Sequence, residues 1–335
     1  MFNVAIVGAT GAVGTMMLRV LEERGFPVTE LRPLASARSA GRIVEYLGKP
    51  FVVQELTEES FEGIQIALFS AGGDRSRDFA PAAVEAGAVV IDNSSAFRMH
   101  DDVPLVVPEV NEAEIANHRG IIANPNCVAA PLVVALKPIA DAVGLERVII
   151  SSYQAVSGTG QQGVNELMRL TQGYLAGDEP EPAVYPHPIA FNVLPHIDTF
   201  DETGYTGEER KVIAETRKML GLADLAVSAT CVRVPVFHGH SISVQIETTD
   251  ALDAIAARNL LMAAPGLILA DEPQLAIYPL PRLATGRDEV MVGRIRNDLS
   301  HPRGLAMWIS SDNLRKGAAT NAVQIAESLV TRGWL

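Results

Sequence analysis

Two cysteines, Cys127 and Cys231, are the only thiols in 335 residues, and their surroundings differ. Cys231 lies inside the strand-like run Ala226–Val234 and reads as a buried thiol acting as a small hydrophobe. Cys127 closes the segment Asn124–Cys127 immediately ahead of an apolar helical pattern. The dipole and unpaired amides of a helix N-terminus favour the thiolate, and the same amides can hold an oxyanion after attack on a carbonyl. Such a nucleophile calls for a base. His238 and His240 stand at the mouth of a later strand, and a general base suits one of the pair. Two histidines two apart could also hint at a metal, but no third ligand cluster accompanies them, so none is expected.

A second constellation opens the chain. Gly8, Gly11 and Gly14 fall where a first strand must turn into a first helix, which lets the backbone approach a pyrophosphate resting on the helix N-terminus. The G-x-x-G-x-x-G spacing is one residue longer than the common dinucleotide fingerprint, so the strand–turn–helix context carries the reading. After the second strand, where an NAD site has an acid for the ribose hydroxyl, the chain reads Ser36–Ser39 with Arg38 and no acid. A guanidinium flanked by hydroxyls suits a 2′-phosphate and favours NADP; the alternative is a solvated loop arginine. Arg98 and Lys211, taken singly, read as surface salt-bridge residues. Arg233 does not, because a charge within an apolar strand needs a partner or a bound anion.

The elements that must position these groups fall into two textures. Over the first 125 or so residues, strands at Asn3–Val7, Leu31–Ala35, Ile66–Phe69 and Val89–Ile91 alternate with helices at Val13–Glu23 and Arg77–Glu85. That alternation predicts a doubly wound, Rossmann-type parallel sheet covered on both faces. From Cys127 onward come helices at Ala130–Ala142, Gly163–Thr171 and Glu208–Leu220, and a proline-rich loop from Asp178 to Pro195. Leu225–Val234 and Ser241–Thr248 alternate like strands of an antiparallel sheet open on one face, and Gly317–Val330 is an amphipathic helix. The expectation is an α/β chain with domains at 1–126 plus 313–335 and at 127–312, the second α+β with a mostly antiparallel sheet. An open sheet face needs a cover, and a twofold partner is the commonest one.

Composition bounds the function classes. At 48% hydrophobic and 20% charged, the chain is that of an ordinary globular protein. A net charge of −13 argues against nucleic-acid partners. The longest apolar stretches, such as Val128–Leu136, fall far short of the ~20 residues of a membrane span. Met1 runs straight into an apolar strand without a basic leader, so the expected location is cytoplasmic.

Assembled in order, Gly8–Gly14, Ser70–Gly73, Asn93–Arg98, Asn124–Cys127, Ser152–Gly158, Phe191–Asp198, Glu208–Lys211, Arg233–Ser241 and Asn313–Gln324 resemble the aspartate-semialdehyde dehydrogenase family over essentially the whole length. The resemblance implies reductive dephosphorylation of L-aspartyl 4-phosphate to aspartate 4-semialdehyde with NADPH, in the biosynthesis of lysine, methionine and threonine. Phosphate is then the co-substrate of the oxidative direction, and the chain a homodimer or dimer of dimers. It implies Cys127 as thioester nucleophile, His240 as acid/base and Gln154 as the residue orienting the acyl group. Arg98 with Asn93 and Lys211 would bind phosphate and substrate, Arg233 the α-carboxylate and Glu208 the α-amino group. Gly8, Thr10, Gly11, Ala12, Val13, Arg38, Ser39, Ser157, Gly158 and Gln324 would line the cofactor. The chain departs from the family at Val128, where Ser or Thr is usual; the backbone amide survives and a hydroxyl is lost. The alternatives are a paralogue with an altered substrate and a non-catalytic dinucleotide-binding subunit.

Overall fold

The computed structural model describes residues 1–335, which form two compact units, Met1–Asn126 with Gly317–Leu335 and Cys127–Lys316. The first unit is built on strands β1 (Phe2–Val7), β2 (Val28–Ala35), β3 (Ile43–Tyr46), β4 (Lys49–Val52), β5 (Gln54–Glu55), β6 (Ile66–Phe69), β7 (Val89–Asp92) and β8 (Ile121–Ala123). Six of them make one sheet in the order β5-β2-β1-β6-β7-β8, every neighbouring pair parallel. The remaining two, β3 and β4, form an antiparallel hairpin. The central strands read as continuous apolar runs because both sheet faces are covered. Val4 and Ile6 pack with Met17 and Leu21 of helix Ala12–Glu23 and with Val323 and Ile325 of the C-terminal helix Thr320–Arg332. On the other face Ala5 and Val7 pack with Phe61, Phe69 and Ala80. The chain runs outward from β1 to β2 and then crosses to β6 on the opposite side. The strand order therefore reverses between β1 and β6, where doubly wound sheets open a ligand crevice at their carboxyl ends.

The second unit carries β9 (Leu145–Gln154), β10 (Ala226–Arg233), β11 (His240–Thr248), β12 (Leu267–Leu269), β13 (Val290–Asn297) and β14 (Gly304–Ser311) in the order β10-β9-β11-β14-β13-β12. This sheet is mixed, so the mostly antiparallel sheet that was expected is matched in part. β9 pairs β10 in parallel, and β12 pairs β13 in parallel. The other pairings, β9 with β11, β11 with β14 and β13 with β14, are antiparallel. Side-chain alternation reports which face of a strand is buried, and it carries no information about strand direction. Helix Ala129–Val143 and helix Gly207–Leu220 cover one face, over Val148, Ile150, Val244 and Ile246. The opposite face is open: Tyr153 stacks obliquely on Trp308 at 5.2 Å, and Arg147, Gln245, Glu247 and Arg296 line a hollow of about 760 Å³. The unit runs past Asn313 to Lys316, because the Asn313 side chain accepts from Gly239 N and bonds Ser157 Oγ within it. No helix is long and apolar enough to cross a membrane.

Candidate active site

In the first unit, the turn after β1 is shaped by glycines that leave no room for a Cβ. Gly8 has φ +88°, and a Cβ there would meet the Ser70 backbone at 3.0 Å, so the ends of β1 and β6 lie nearly in contact. At Gly14 a Cβ would come within 2.2 Å of the Gly8 carbonyl oxygen, so only glycine lets the helix dock on its own turn. Gly11 caps helix Ala12–Glu23 without a side-chain hydrogen bond, and Ala12 and Val13 supply its first amides. Beside the turn lies a cleft of about 620 Å³ lined by Gly8, Thr10, Gly11, Arg38, Ser39 and, unanticipated from sequence, Arg75. Arg38 sits in the 3-10 turn Ala37–Ser39 with its side chain exposed, and the only acid lining the cleft is the exposed Glu55. Gln324 does not line this cleft; its amide donates to Glu109 Oε1 at 2.9 Å.

A second cluster in this unit forms where β7 ends. Asp92 is fully buried and accepts from Ser76 Oγ, Ser94 N and Ser94 Oγ, which fixes the turn leading to Arg98. Arg98 is buried, donating through Nε to the Asn124 carbonyl at 2.9 Å and through Nη2 to the Asn93 carbonyl at 2.7 Å. Asn124 in turn donates to Asn93 Oδ1 and accepts from Asn321. A guanidinium tied to the backbone three positions before Cys127 has its orientation set before any anion arrives.

In the second unit, strand direction gathers the chemistry. Gln154 and Arg233 end the parallel strands β9 and β10 and are register partners. β11 runs antiparallel to β9, so its first residue, His240, comes to the same end of the sheet. His240 Nε2 lies 3.3 Å from the Cys127 sulfur, and His240 Nδ1 accepts the Ala155 N–H at 3.0 Å. Complete burial, assisted by the positive charge of Arg233, holds the His240 pKa well below its ordinary 6.5. His238 is exposed, so the structure separates the two histidines. No cluster of three or more His, Cys, Asp or Glu side chains is arranged to hold a metal ion.

Around this pair stand the remaining candidates. Gln154 is buried and donates to Ser152 Oγ at 3.2 Å and Glu208 Oε1 at 3.3 Å. Glu208 lies in the first turn of helix Gly207–Leu220, whose start is fixed by a capping box between Thr206 and Glu209. Lys211, one turn on, donates to Asp198 Oδ2 at 2.6 Å and lies 3.6 Å from Glu208 Oε2. Asp198, whose partnership no spacing announced, has φ +73°, and that hydrogen bond holds its pKa below the usual aspartate value. Arg233 donates through Nη1 to the Ala155 carbonyl at 2.8 Å, while its buried Nε has no protein partner. Ser157 and Gly158 lie in the 3-10 turn Val156–Thr159; a Cβ on Gly158 would meet Arg233 Nη1 at 2.9 Å and the His240 ring at 3.4 Å. Cys231 is wholly buried, and that burial pushes its thiol up to about 12, an inert environment. The arrangement in this unit can bring a nucleophilic sulfur, a hydrogen-bonded imidazole, an amide and a guanidinium to bear on one small carbonyl compound.

Comparison with known proteins agrees with both halves. The family described as semialdehyde dehydrogenase, NAD binding domain, matches residues 3–118, and semialdehyde dehydrogenase, dimerisation domain, matches residues 136–316. The chain is 55% identical to the aspartate-semialdehyde dehydrogenase of Aquifex aeolicus, covering 99% of each chain. Its structure superposes with a TM-score of 0.96 and 51% identity on the Vibrio cholerae aspartate semialdehyde dehydrogenase II complexed with ASA, covering 99% of this chain and 98% of that one. With the aspartate semialdehyde dehydrogenase of Candida albicans bound to NADP, the TM-score is 0.78 at 26% identity, with both chains fully covered.

Proposed function

The chain belongs to the aspartate-semialdehyde dehydrogenase family, and from that premise we propose that it reduces L-aspartyl 4-phosphate to L-aspartate 4-semialdehyde with NADPH, releasing phosphate, within aspartate-family amino-acid biosynthesis. The observation that carries this reading is the common sheet end at which Gln154, Arg233 and His240 meet beside Cys127. The Cys127 sulfur attacks the acyl carbon, the carbon–oxygen bond to phosphate breaks, and a thioester forms on Cys127. Arg98, with Asn93 beside it, and Lys211 hold the phosphate as it leaves. NADPH, when bound, would supply the hydride, and with that hydride and a proton from solvent the Cys127 thioester becomes a thiohemiacetal. His240 is the acid/base: as the carbon–sulfur bond breaks, its Nε2 gives a hydrogen to the sulfur while taking the one from the thiohemiacetal oxygen, so the ring ends neutral. Gln154 orients the acyl group.

Substrate recognition follows from opposite charges. Arg233 Nε, buried and unpartnered, suits the α-carboxylate, and Glu208 suits the α-ammonium, so the pair fits a zwitterion. The first unit binds the dinucleotide. The cradle at Gly8 and Gly14, where a Cβ would collide with backbone, fits a pyrophosphate on Thr10–Val13, and the acid-poor cleft with Arg38 and Ser39 suits the 2′-phosphate of NADP. Ser157, Gly158 and Gln324 complete the cofactor surroundings in this reading. Residues 127–312 carry catalysis and a homodimer contact through the open sheet face, with a dimer of dimers as its extension.

The direct test is NADP reduction by the purified protein with aspartate semialdehyde and phosphate. Phosphate-dependent NADPH formation is the expected result. A protein that binds NADPH yet forms none is a non-catalytic subunit, and one that accepts only another aldehyde is a paralogue.

A further inference from the structure

Glu166 is a buried carboxylate that the proposed reaction does not use: its side chain is 2% exposed, in the middle of helix Gln161–Ala176. Its two oxygens accept three consecutive backbone amides, Ala183 N and Val184 N on Oε2 at 2.7 Å each, and Tyr185 N on Oε1 at 3.1 Å. The nearest cation, Arg169, stands 3.8 Å away and is spent mainly on the Glu181 carbonyl. Converging amides make a site for one anion, and here the protein supplies that anion itself. The Ala183–Tyr185 strap so held delivers the Tyr185 hydroxyl to Thr159 Oγ1 at 2.9 Å. Gly163 makes room for it, since a Cβ there would meet the Tyr185 hydroxyl oxygen at 2.6 Å. Thr159 closes the turn Val156–Thr159, and within that turn Gly158 lies against the Arg233 guanidinium and the His240 ring.

We propose that Glu166 is a positioning residue for the reaction centre, setting Tyr185 on Thr159 and thereby fixing the turn on which Arg233 and His240 rest. The chain of contact is short: carboxylate to strap amides and tyrosine hydroxyl to threonine through hydrogen bonds, then the Gly158 turn lying close against guanidinium and imidazole. From its other side the turn is tied by Val156 N to the Val236 carbonyl and by Ser157 N to the Phe237 carbonyl, both in the segment leading to His240. A turn held on both flanks keeps the imidazole from drifting off the sulfur. Losing the Thr159 link frees one flank only, so it affects turnover and leaves the fold intact. The roles given to Arg233 and His240 rest on the function proposed above; the contacts through Glu166 and Tyr185 do not.

The test uses the full chain as Tyr185→Phe, Glu166→Gln and the double variant. Each is assayed for kcat, for thermal midpoint and for the rate of Cys127 alkylation by iodoacetamide without substrate. Tyr185→Phe removes one hydroxyl and should lower kcat about fivefold with little change in thermal midpoint. Glu166→Gln keeps shape but surrenders an acceptor oxygen, and should lower kcat by a similar factor, about five- to tenfold. Because both act along one path, Glu166→Gln made in the Tyr185→Phe background should cost less than about a twofold further loss. Alkylation rates should shift in the same non-additive pattern, as His240 loosens from the sulfur. Unchanged kcat and alkylation in Tyr185→Phe would overturn the proposal, even if Glu166→Gln fails to fold; so would effects that multiply in the double variant. Should the unsubstituted protein show no dehydrogenase activity, the reading of function fails by itself, and alkylation alone decides the role of Glu166.

Discussion

His240 meets Cys127 through one ring nitrogen and the backbone of Ala155 through the other, and the second contact dictates the state of the first. An amide N–H can only donate, so Nδ1 must carry a lone pair and the neutral ring keeps its hydrogen on Nε2, facing the sulfur. A second proton would set Nδ1–H against N–H of Ala155. Burial and the Arg233 charge push the same way, so the ring is neutral across the physiological range.

A pH profile follows. With the folded pKa below 6.5, the neutral ring persists as pH falls through that value, and kcat/KM should show no acid limb of His240 there. Stability has the opposite exposure. Below about pH 6.5 the unfolded chain binds a proton at this position that the native chain does not, so His240 lowers stability progressively as the medium becomes acidic. Comparing kcat/KM and thermal midpoints of the native chain and His240→Asn between pH 5 and 8 checks both statements. An inflection in kcat/KM near 6.5 that vanishes in the variant would overturn the neutral-ring account.

The two thiols should behave as differently as their surroundings. Cys231 is wholly buried with its thiol pushed up to about 12, whereas Cys127 is partly accessible. Iodoacetamide on the native protein should give one adduct per chain by mass, and Cys127→Ser none. The same variant should lose turnover by roughly a thousandfold or more while binding NADPH nearly unchanged, since a hydroxyl is a far weaker nucleophile and the cofactor cleft is untouched. Substantial activity in Cys127→Ser would exclude the thioester route.

How much of this was legible in the residues depends on what kind of signal each feature leaves. The parallel sheet of the first unit could be read because strand and helix periodicities alternate, and Gly8, Gly11 and Gly14 mark a turn that other side chains would obstruct. The second sheet was legible only in part. Leu225–Val234 and Ser241–Thr248 show their buried faces, but nothing in alternation says that both flank β9, one parallel and one antiparallel. Strands β12 to β14 left no reading at all; β12 is only three residues long, and Gly293 and Arg294 break the apolar run of β13. In the site, residue chemistry singled out Cys127 and Arg233 before the fold was known. Partnerships across long separations leave no local trace: Asp198 with Lys211, Asn124 with Asn321 and Glu166 with Ala183–Tyr185 emerge only when the chain is folded.

Cofactor choice is testable at the cleft. Arg38 and Arg75 are its two cations, and Arg75 also stands 3.6 Å from Asp78, an exposed pair of little consequence for stability. Arg38→Ala should weaken NADPH at least tenfold while leaving NADH nearly unchanged, because a charge-assisted contact to the 2′-phosphate is the interaction removed. Titration of both nucleotides by fluorescence measures this directly. Equal losses would show that Arg38 does not read the 2′-phosphate, and selective loss in Arg75→Ala would move that duty to Arg75.

The two basic residues of the second unit should separate phosphate from carboxylate. Lys211 is held by Asp198 at 2.6 Å and lies near Glu208, so its ammonium is positioned beside the carboxylate assigned to the α-amino group. Arg233 is fixed at the sheet end by the Ala155 carbonyl, with Nε buried and unpartnered. If Lys211 holds phosphate, Lys211→Ala should raise the KM for phosphate in semialdehyde oxidation by roughly tenfold or more, with a smaller effect on semialdehyde. Arg233→Ala should show the reverse, because the α-carboxylate is present whether or not phosphate takes part. Arsenate, which replaces phosphate as acceptor of the acyl group, should follow phosphate in both variants. Arg233→Lys should recover little: a lysine keeps the charge but offers neither the planar fork nor the second donor that a carboxylate engages. Steady-state kinetics on the three variants measure both constants, and parallel losses for phosphate and semialdehyde in Lys211→Ala and Arg233→Ala would sink the assignment.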